Sequence, residues 1–256
     1  MWTMKIAFII MVFIFHLLQL CYSVHDEYII DPSTVVVCSY FFSSKIQKRI
    51  QGPLKAILSN HAEYAQKHGY TYRTFDFAEA LALGLEKKER RDTKWAKLLF
   101  FSSLFDQGFK WILYIDTDAI FFDTSLSISQ SLNRIQSLHG AGTTAFNIDK
   151  KDMYFSGDTL PINSGFILIQ NTVWMRRLLD TAYSIGPYAK LPTYEQGAIV
   201  AVLNGCTALS SIEELWECYN HAVSECIFFL FFLSFLLTLF SNEYSPSFLS
   251  LYFIRT

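Results

Sequence analysis

Two carboxylates one residue apart, Asp116 and Asp118, stand at the end of the hydrophobic run Trp111-Ile112-Leu113-Tyr114-Ile115, with Thr117 between them. On a strand, positions i and i+2 share a face. Where the strand ends and the chain turns, both carboxylates can converge on one cation. Unless a cation sits between them, two negative charges so close repel each other. A site made of oxygens suits Mn²⁺ or Mg²⁺, and either ion also bridges the oxygens of a diphosphate. An Asp-x-Asp at a strand exit is also an ordinary solvated turn. Here the five hydrophobic residues before it and its place in the middle of the chain favour the metal-binding reading.

Two chemistries use such a pair. A metal-dependent phosphatase of the haloacid-dehalogenase type takes the first Asp of a DxDx(T/V) motif as its nucleophile. Here the fifth residue is Ile120, and Gly157-Asp158 downstream lacks a second Asp four residues on. A nucleotide-sugar transferase of the GT-A fold instead uses its DxD to hold a divalent cation on the donor diphosphate. The second chemistry fits the residues better.

Such a site needs a scaffold that delivers strand ends to one place, and the chain supplies one. Thr34 to Tyr40 is a β-branched apolar run of the buried-strand type. Gln51 to Lys67 reads as a helix, and Gly69 just past it as its C-cap. Tyr70 to Phe77 alternates like a strand, and Glu86 to Asp92 is a mixed charge run that reads as a solvated loop or helix start. Trp95 to Phe105 is helical and Gly108 ends it; Lys110 to Ile115 is a central strand. A helix follows near Ser125 to Leu138, then a strand at Ile162 to Gln170 and helices near Thr172 to Ile185 and Glu195 to Leu203. Strands alternating with helices predict an α/β fold: a mostly parallel, Rossmann-like sheet flanked by helices. Ligands bind such sheets beyond the carboxyl ends of the strands.

The chain of 256 residues has room for one large domain or two small ones. Lys and Arg number 21 against 23 Asp and Glu, a net charge of −2, which argues against nucleic acid as a partner. Its hydrophobic fraction of 52% rules out dominant disorder. Much of that content lies at the ends. Lys5 followed by Ile6 to Leu20 and the exit Cys21-Tyr22-Ser23-Val24 outlines a signal peptide or, with Cys21 to Val24 recruited, a type II membrane anchor over residues 1–24. Either predicts secretory entry: a lumenal domain on a Golgi or endoplasmic reticulum membrane, or a secreted protein if the segment is cleaved. Of the remaining cysteines, Cys38 reads as a buried thiol, and Cys206 and Cys218 could bridge in an oxidising lumen. No cysteine pair has zinc spacing. Ile227 to Phe240 is a fourteen-residue apolar run without helical or strand period, short for a membrane span. It reads as a C-terminus that departs from its ancestral domain or as a second membrane element. The organisation predicted is a targeting segment over 1–24, a domain over 28–221 and a divergent hydrophobic tail over 222–256, in which Ile227 to Phe240 projects as a helix or packs loosely on the surface.

The segment Asn60-His61-Ala62-Glu63-Tyr64-Ala65-Gln66-Lys67-His68-Gly69-Tyr70 resembles the NxxxYAxxHGY signature of glycosyltransferase family 34, the galactosyl/xylosyl/mannosyltransferase group. Trp95-Ala96-Lys97 is similar to its W-x-K element, and Trp111 to Asp118 to its WILWLDSDA segment. Asn163-Ser164-Gly165-Phe166 resembles its N-x-G-x-F strand, and Glu195-Gln196 stands where the family has an acidic-Gln pair. These elements run in family order over Thr34 to Leu203, about two thirds of the chain.

The resemblance implies a GT-A fold, a Golgi location, Mn²⁺ (or Mg²⁺) dependence and retention of anomeric configuration. Its partners would be a UDP- or GDP-sugar donor and a glycan acceptor. Asp116, Thr117 and Asp118 would contact the nucleotide, with Asp116 and Asp118 as metal ligands. Lys97 would neutralise phosphate, or be a solvated helix-face lysine. His68 and Tyr70 would serve the site or simply pack at a helix-to-strand turn. Asn163, Ser164 and Gly165 would lie near the sugar, where glycine lets a ligand approach the backbone. Gln196 would stabilise an oxocarbenium-like transition state, Glu195 would orient the acceptor hydroxyl, and the leaving diphosphate would act as base in same-face attack. In the family a C-terminal His completes the metal shell. After Cys218 this sequence departs from that pattern and leaves His221 unaligned, so an inactive, membrane-bound binding or scaffold protein is the alternative reading.

Overall fold

The computed structural model describes residues 28–41, 51–85, 93–140, 151–156, 162–184, 194–205 and 251–255, and among them are six strands, six α-helices and two short 3₁₀ turns. The targeting segment, the charge run Glu86 to Asp92, Cys206, Cys218, His221 and the run Ile227 to Phe240 lie outside the described residues. Among the described residues no helix is long and apolar enough to cross a membrane.

The order is β1 (Val35–Tyr40), α1 (Gln51–Lys67), β2 (Thr71–Phe75), α2 (Phe77–Ala82), α3 (Ala96–Asp106), β3 (Trp111–Ile115), α4 (Ile128–Gly140), β4 (Lys151–Ser156), β5 (Asn163–Gln170), α5 (Val173–Ser184), α6 (Tyr194–Leu203) and β6 (Leu251–Arg255). Chain contacts separate a smaller unit, Met1–Ile29 with Ile128–Phe146, from a larger one, Ile30–Ser127 with Asn147–Thr256. In the smaller unit the Asn133 amide of α4 exchanges both its hydrogen bonds with the backbone of Tyr28, at 2.9 and 3.1 Å. The larger unit holds the sheet.

Sequence and structure agree closely at the first helix. Pro53 sits in its first turn, where a missing N–H costs nothing. At its end Gly69 adopts φ +71°, so that Gly69 N–H reaches the Gln66 carbonyl and Tyr70 N–H the Ala65 carbonyl. These two bonds form a Schellman cap, which a side chain at that φ would strain. Helix α2 went unread in the sequence although Asp76 and Glu79 form a reciprocal capping box at its start.

The strand order is β2-β1-β3-β5-β4-β6. β1 runs parallel to β2 and β3, whereas the β3–β5, β5–β4 and β4–β6 pairs are antiparallel. The sheet is therefore mixed, and the expectation of a mostly parallel one is corrected. An apolar run such as Ile162 to Gln170 fixes burial but not direction. Direction was set by β4, unread because Lys151 and Asp152 interrupt its apolar pattern. Its link to β5, residues 157–162, is too short for a parallel crossover. β6 adds an edge strand from the C-terminal tail, where no sheet element was expected; Leu251-Tyr-Phe-Ile has the strand-favouring composition that explains it.

All of β1 and β3 is buried. Val36, Cys38, Tyr40, Ile112 and Tyr114 join the core cluster that holds the apolar side chains of α3, α5 and α6. The alternate positions point the other way, as the Ser39 hydroxyl shows by meeting His61 of α1. Helices thus cover both faces. Cys38 is a free, buried thiol whose pKa burial pushes up, as its apolar setting led us to expect.

Candidate functional site

The antiparallel turn of β5 decides the site. Because Ile115 pairs with Phe166, the start of β5 lies beside the exit of β3. The Asp116 N–H donates to the Gly165 carbonyl at 2.8 Å, which extends the ladder one residue past the strand. Asp116, Asn163, Ser164 and Gly165, far apart in the chain, become neighbours. A parallel β5 would have put the latter three at the opposite end of the sheet.

Tyr114 and Asp116 continue one face of β3, and α3 brings Lys97 to that face. Lys97 is only 4% exposed. Its Nζ lies 3.3 Å from Asp116 Oδ1 and 3.0 Å from Glu195 Oε1. It also donates to the carbonyl and hydroxyl oxygens of Ser164, each at 3.2 Å, and stands 4.6 Å from the centre of the Tyr114 ring. Burial opposes its charge, but the Glu195 and Asp116 carboxylates more than offset this and hold its pKa above the ordinary 10.5. The Tyr114 hydroxyl donates to the same Asp116 Oδ1 at 2.6 Å. Burial first, and then Asp116, push its pKa well above the ordinary 10.0, so it keeps its proton.

Asp116 is thus held by one oxygen. Among the described residues no donor is bonded to Oδ2. Gly165 leaves room for this carboxylate: a Cβ there would stand 2.8 Å from Asp116 Oδ2 and 2.9 Å from Asn163 Oδ1. Asn163 in turn accepts the Gly165 N–H at 2.8 Å. Thr117 is half-buried and Asp118 exposed.

Helix α6 closes the cluster from its first turn. Glu195, 3% exposed, receives the Ser164 hydroxyl at 2.9 Å and Lys97 on Oε1, while its buried Oε2 has no hydrogen-bond partner. Gln196 is half-buried, and its Oε1 accepts the Ser164 N–H at 3.1 Å. The residue before them, Tyr194, has φ +52°, an uncommon conformation for a side-chain-bearing residue, and Lys94 sits 3.8 Å over its ring. Sequence reasoning missed Tyr114, Lys94 and Tyr194. The Tyr114 role was available from period 2, since it lies two positions before Asp116; the strained turn at Tyr194 leaves no sequence signal.

The structure therefore brings together Lys97, Asp116, Asn163, Ser164, Gly165, Glu195 and Gln196, with Thr117 and Asp118 on the adjoining turn. His68 and Tyr70 are elsewhere: they pack with Tyr64 in an aromatic group at the end of α1, with ring centres 4.8 to 6.1 Å apart. Among the described residues no group of three or more His, Cys, Asp or Glu could enclose a metal ion.

A family model described as the galactosyl transferase GMA12/MNN10 family matches residues 31–204. That span contains every residue of the cluster. No individual curated protein matches the chain.

Proposed function

The chain belongs to the galactosyl transferase GMA12/MNN10 family, and from that premise we propose a metal-dependent, retaining transfer of a hexosyl or pentosyl unit from a UDP- or GDP-sugar to a glycan acceptor. Membership in this family, one of glycosyltransferases, makes the chain a transferase by domain.

The observation that carries it is the half-held carboxylate: Asp116 is fixed through Oδ1 while, among the described residues, no donor is bonded to Oδ2, and Asp118 two residues on is exposed. Among the described residues the two carboxylates have no histidine or thiolate joined to them, which makes a hard oxygen set. Mn²⁺ or Mg²⁺ is commonly held by one or two carboxylates plus substrate phosphates rather than by a full protein cage. The donor set fits such an ion, with Asp116 and Asp118 as its holders. When bound, the cation would neutralise charge on the leaving diphosphate.

The chain's own groups do the rest. Lys97 spends its donors on Asp116, Ser164 and Glu195, so it serves the diphosphate indirectly by holding the carboxylate that meets the metal. Gln196 has Oε1 pinned by the Ser164 N–H, which orients the amide; one lone pair and the amide hydrogens remain for the sugar. Glu195 Oε2, buried and unpartnered, is suited to accept the acceptor hydroxyl proton in a hydrogen bond. Asn163 and Gly165 shape the floor by the sugar. A membrane-attached, lumenal placement in the Golgi or endoplasmic reticulum belongs to this proposal through the apolar segment within residues 1–24.

Nucleotide binding tests the site. UDP or GDP should bind in Mn²⁺ and not in EDTA, and Asp118→Ala should abolish binding while circular dichroism stays that of the folded chain. Equal affinity with and without metal would sink the assignment. Gln196→Ala should lower kcat more than it raises KM, because its amide acts in the transition state.

A further inference from the structure

Asn60, His61 and Tyr64 of α1, with His68 just past its end, all end on the backbone that follows Asp118. The Asn60 amide donates to the Phe121 carbonyl at 3.1 Å and accepts the Phe121 N–H at 2.8 Å. His61 Nε2 lies 2.8 Å from the Ala119 carbonyl, the Tyr64 hydroxyl 3.2 Å from that of Leu126, and His68 Nε2 3.0 Å from that of Thr124. Positions 60 and 64 share one helix face with His61 beside them, and His68 carries the same four-residue spacing into the cap. These bonds grip main chain, so they fix where the segment runs whatever side chains it carries.

His61 is the member nearest the carboxylates. A carbonyl only accepts, so Nε2 carries the proton. Burial lowers the pKa of the ring against the opposing Ala119 bond, which keeps it neutral, and Nδ1 therefore accepts from the Ser39 hydroxyl at 2.8 Å. The ring thus ties β1 to Ala119, and the Ala119 N–H closes the turn back to the Asp116 carbonyl at 3.1 Å. Asp118 lies inside that turn.

We propose that α1 is the device that sets the second carboxylate: His61 is a positioning residue that orients Asp118 through the Ala119 carbonyl, and Asn60 locks the chain two residues further on. The proposal rests on the reading of Asp116 and Asp118 as the metal and donor site. It gives the helix signature a role in binding without contact with the ligand.

Two substitutions separate positioning from packing. The side-chain amide of Gln places a donor about where Nε2 stands, whereas that of Asn reaches only about as far as Nδ1. His61→Gln therefore keeps the bond to Ala119 and His61→Asn keeps only the Ser39 side. Both should lower Tm. Only His61→Asn should weaken Mn²⁺-dependent UDP or GDP binding, by about tenfold or more, and only it should speed amide hydrogen exchange across residues 119–126 in the metal-free protein. If His61→Asn does not fold, Asn60→Ala, at a half-buried position, must show the same pairing of faster exchange and weaker binding. Equal losses in His61→Gln and His61→Asn, or no loss in either, would overturn the positioning role while wild-type binding stands. Wild-type protein that binds neither nucleotide in Mn²⁺ would defeat the donor-site reading, and the positioning role with it.

Discussion

On one face of the sheet the exit of β3 is held by charge; on the other it is held by neutral hydrogen bonds. Lys97 sits between Asp116 and Glu195 at 3.3 and 3.0 Å, buried, with Tyr114 and Ser164 completing its surroundings. Across the sheet, α1 and its C-terminal cap reach the same stretch of chain with two histidines, a tyrosine and an asparagine, all on backbone groups. The two networks meet at the turn from Asp116 to Ala119. They differ in what failure costs. A buried ion left without its partner carries a desolvation penalty, whereas loss of one neutral bond among several costs about 1 kcal/mol. The charged face should therefore be brittle and the neutral face tolerant of single changes.

The largest expected effect is on the charged face. Lys97→Met leaves the Glu195 carboxylate buried without a counter-charge, and denaturant unfolding should show a loss of about 3 kcal/mol. Tyr64→Phe on the neutral face should cost about 1 kcal/mol. Adding Glu195→Gln to Lys97→Met should recover part of the loss, because it removes the orphaned charge. A double variant no more stable than Lys97→Met would mean that Lys97 contributes packing rather than charge.

Next comes the floor of the site. Gly165→Ala places a Cβ 2.8 Å from Asp116 Oδ2 and 2.9 Å from Asn163 Oδ1, so the carboxylate must move. Crowding of this kind costs about 1–2 kcal/mol. Isothermal titration with Mn²⁺ and UDP or GDP should show affinity reduced about tenfold, since the residue that moves is the proposed metal holder. Unchanged affinity would place the metal off Asp116.

How these networks read in the sequence follows from their chemistry. Of the residues that cluster, Asp116-Thr117-Asp118 stood out locally, after an apolar run, whereas Asn163-Ser164-Gly165 and Glu195-Gln196 were picked out by their resemblance to family motifs. That they belong in one place was supplied by the family resemblance. The physical reason they meet, an antiparallel β5, was not read at all, because β4 was hidden by Lys151 and Asp152 and the sheet was expected to be mostly parallel. Helix α1 was read to its boundaries from apolar spacing and Gly69. The purpose of His61, Tyr64 and His68 was not, because a side chain that binds distant backbone leaves no complementary residue type to recognise. Lys97 shows the remaining limit: a lysine on a helix reads as solvated until a fold buries it.

A third test uses pH, where the two faces should fail at opposite ends. The folded pKa of His61 lies below its ordinary 6.5, so its neutral form is favoured in the native state and its share of stability is fully present above that value. That share is lost as pH falls below 6.5 toward the folded value, where the unfolded chain binds the proton more readily. Lys97 is the reverse: its folded pKa is raised above 10.5, so its contribution is complete below 10.5 and is lost as pH rises through the folded value. Thermal melts across pH should therefore lose a mildly acidic shoulder in His61→Gln and an alkaline one in Lys97→Met. The same shoulder lost in both variants would mean that the two networks are not separate.

The smallest expected effect lies within two adjacent residues of the neutral face. Phe121 stacks on Tyr64 with ring centres 3.8 Å apart and planes 12° from parallel, and its backbone carries both Asn60 bonds. Phe122, next in the chain, is 97% exposed. Phe121 packs on α1, whereas its two chain neighbours, Ile120 and Phe122, are exposed. If α1 grips by backbone bonds with the Phe121 ring as its seal, packed on Tyr64 and edge-on to His61, Phe121→Ala should cost about 2 kcal/mol and speed exchange of the 119–126 amides. Phe122→Ala should change stability by less than about 0.5 kcal/mol and leave that exchange as it was. A Phe122→Ala variant as destabilised as Phe121→Ala would mean that the outward side of the segment is buried in solution and that α1 is only half of what holds it.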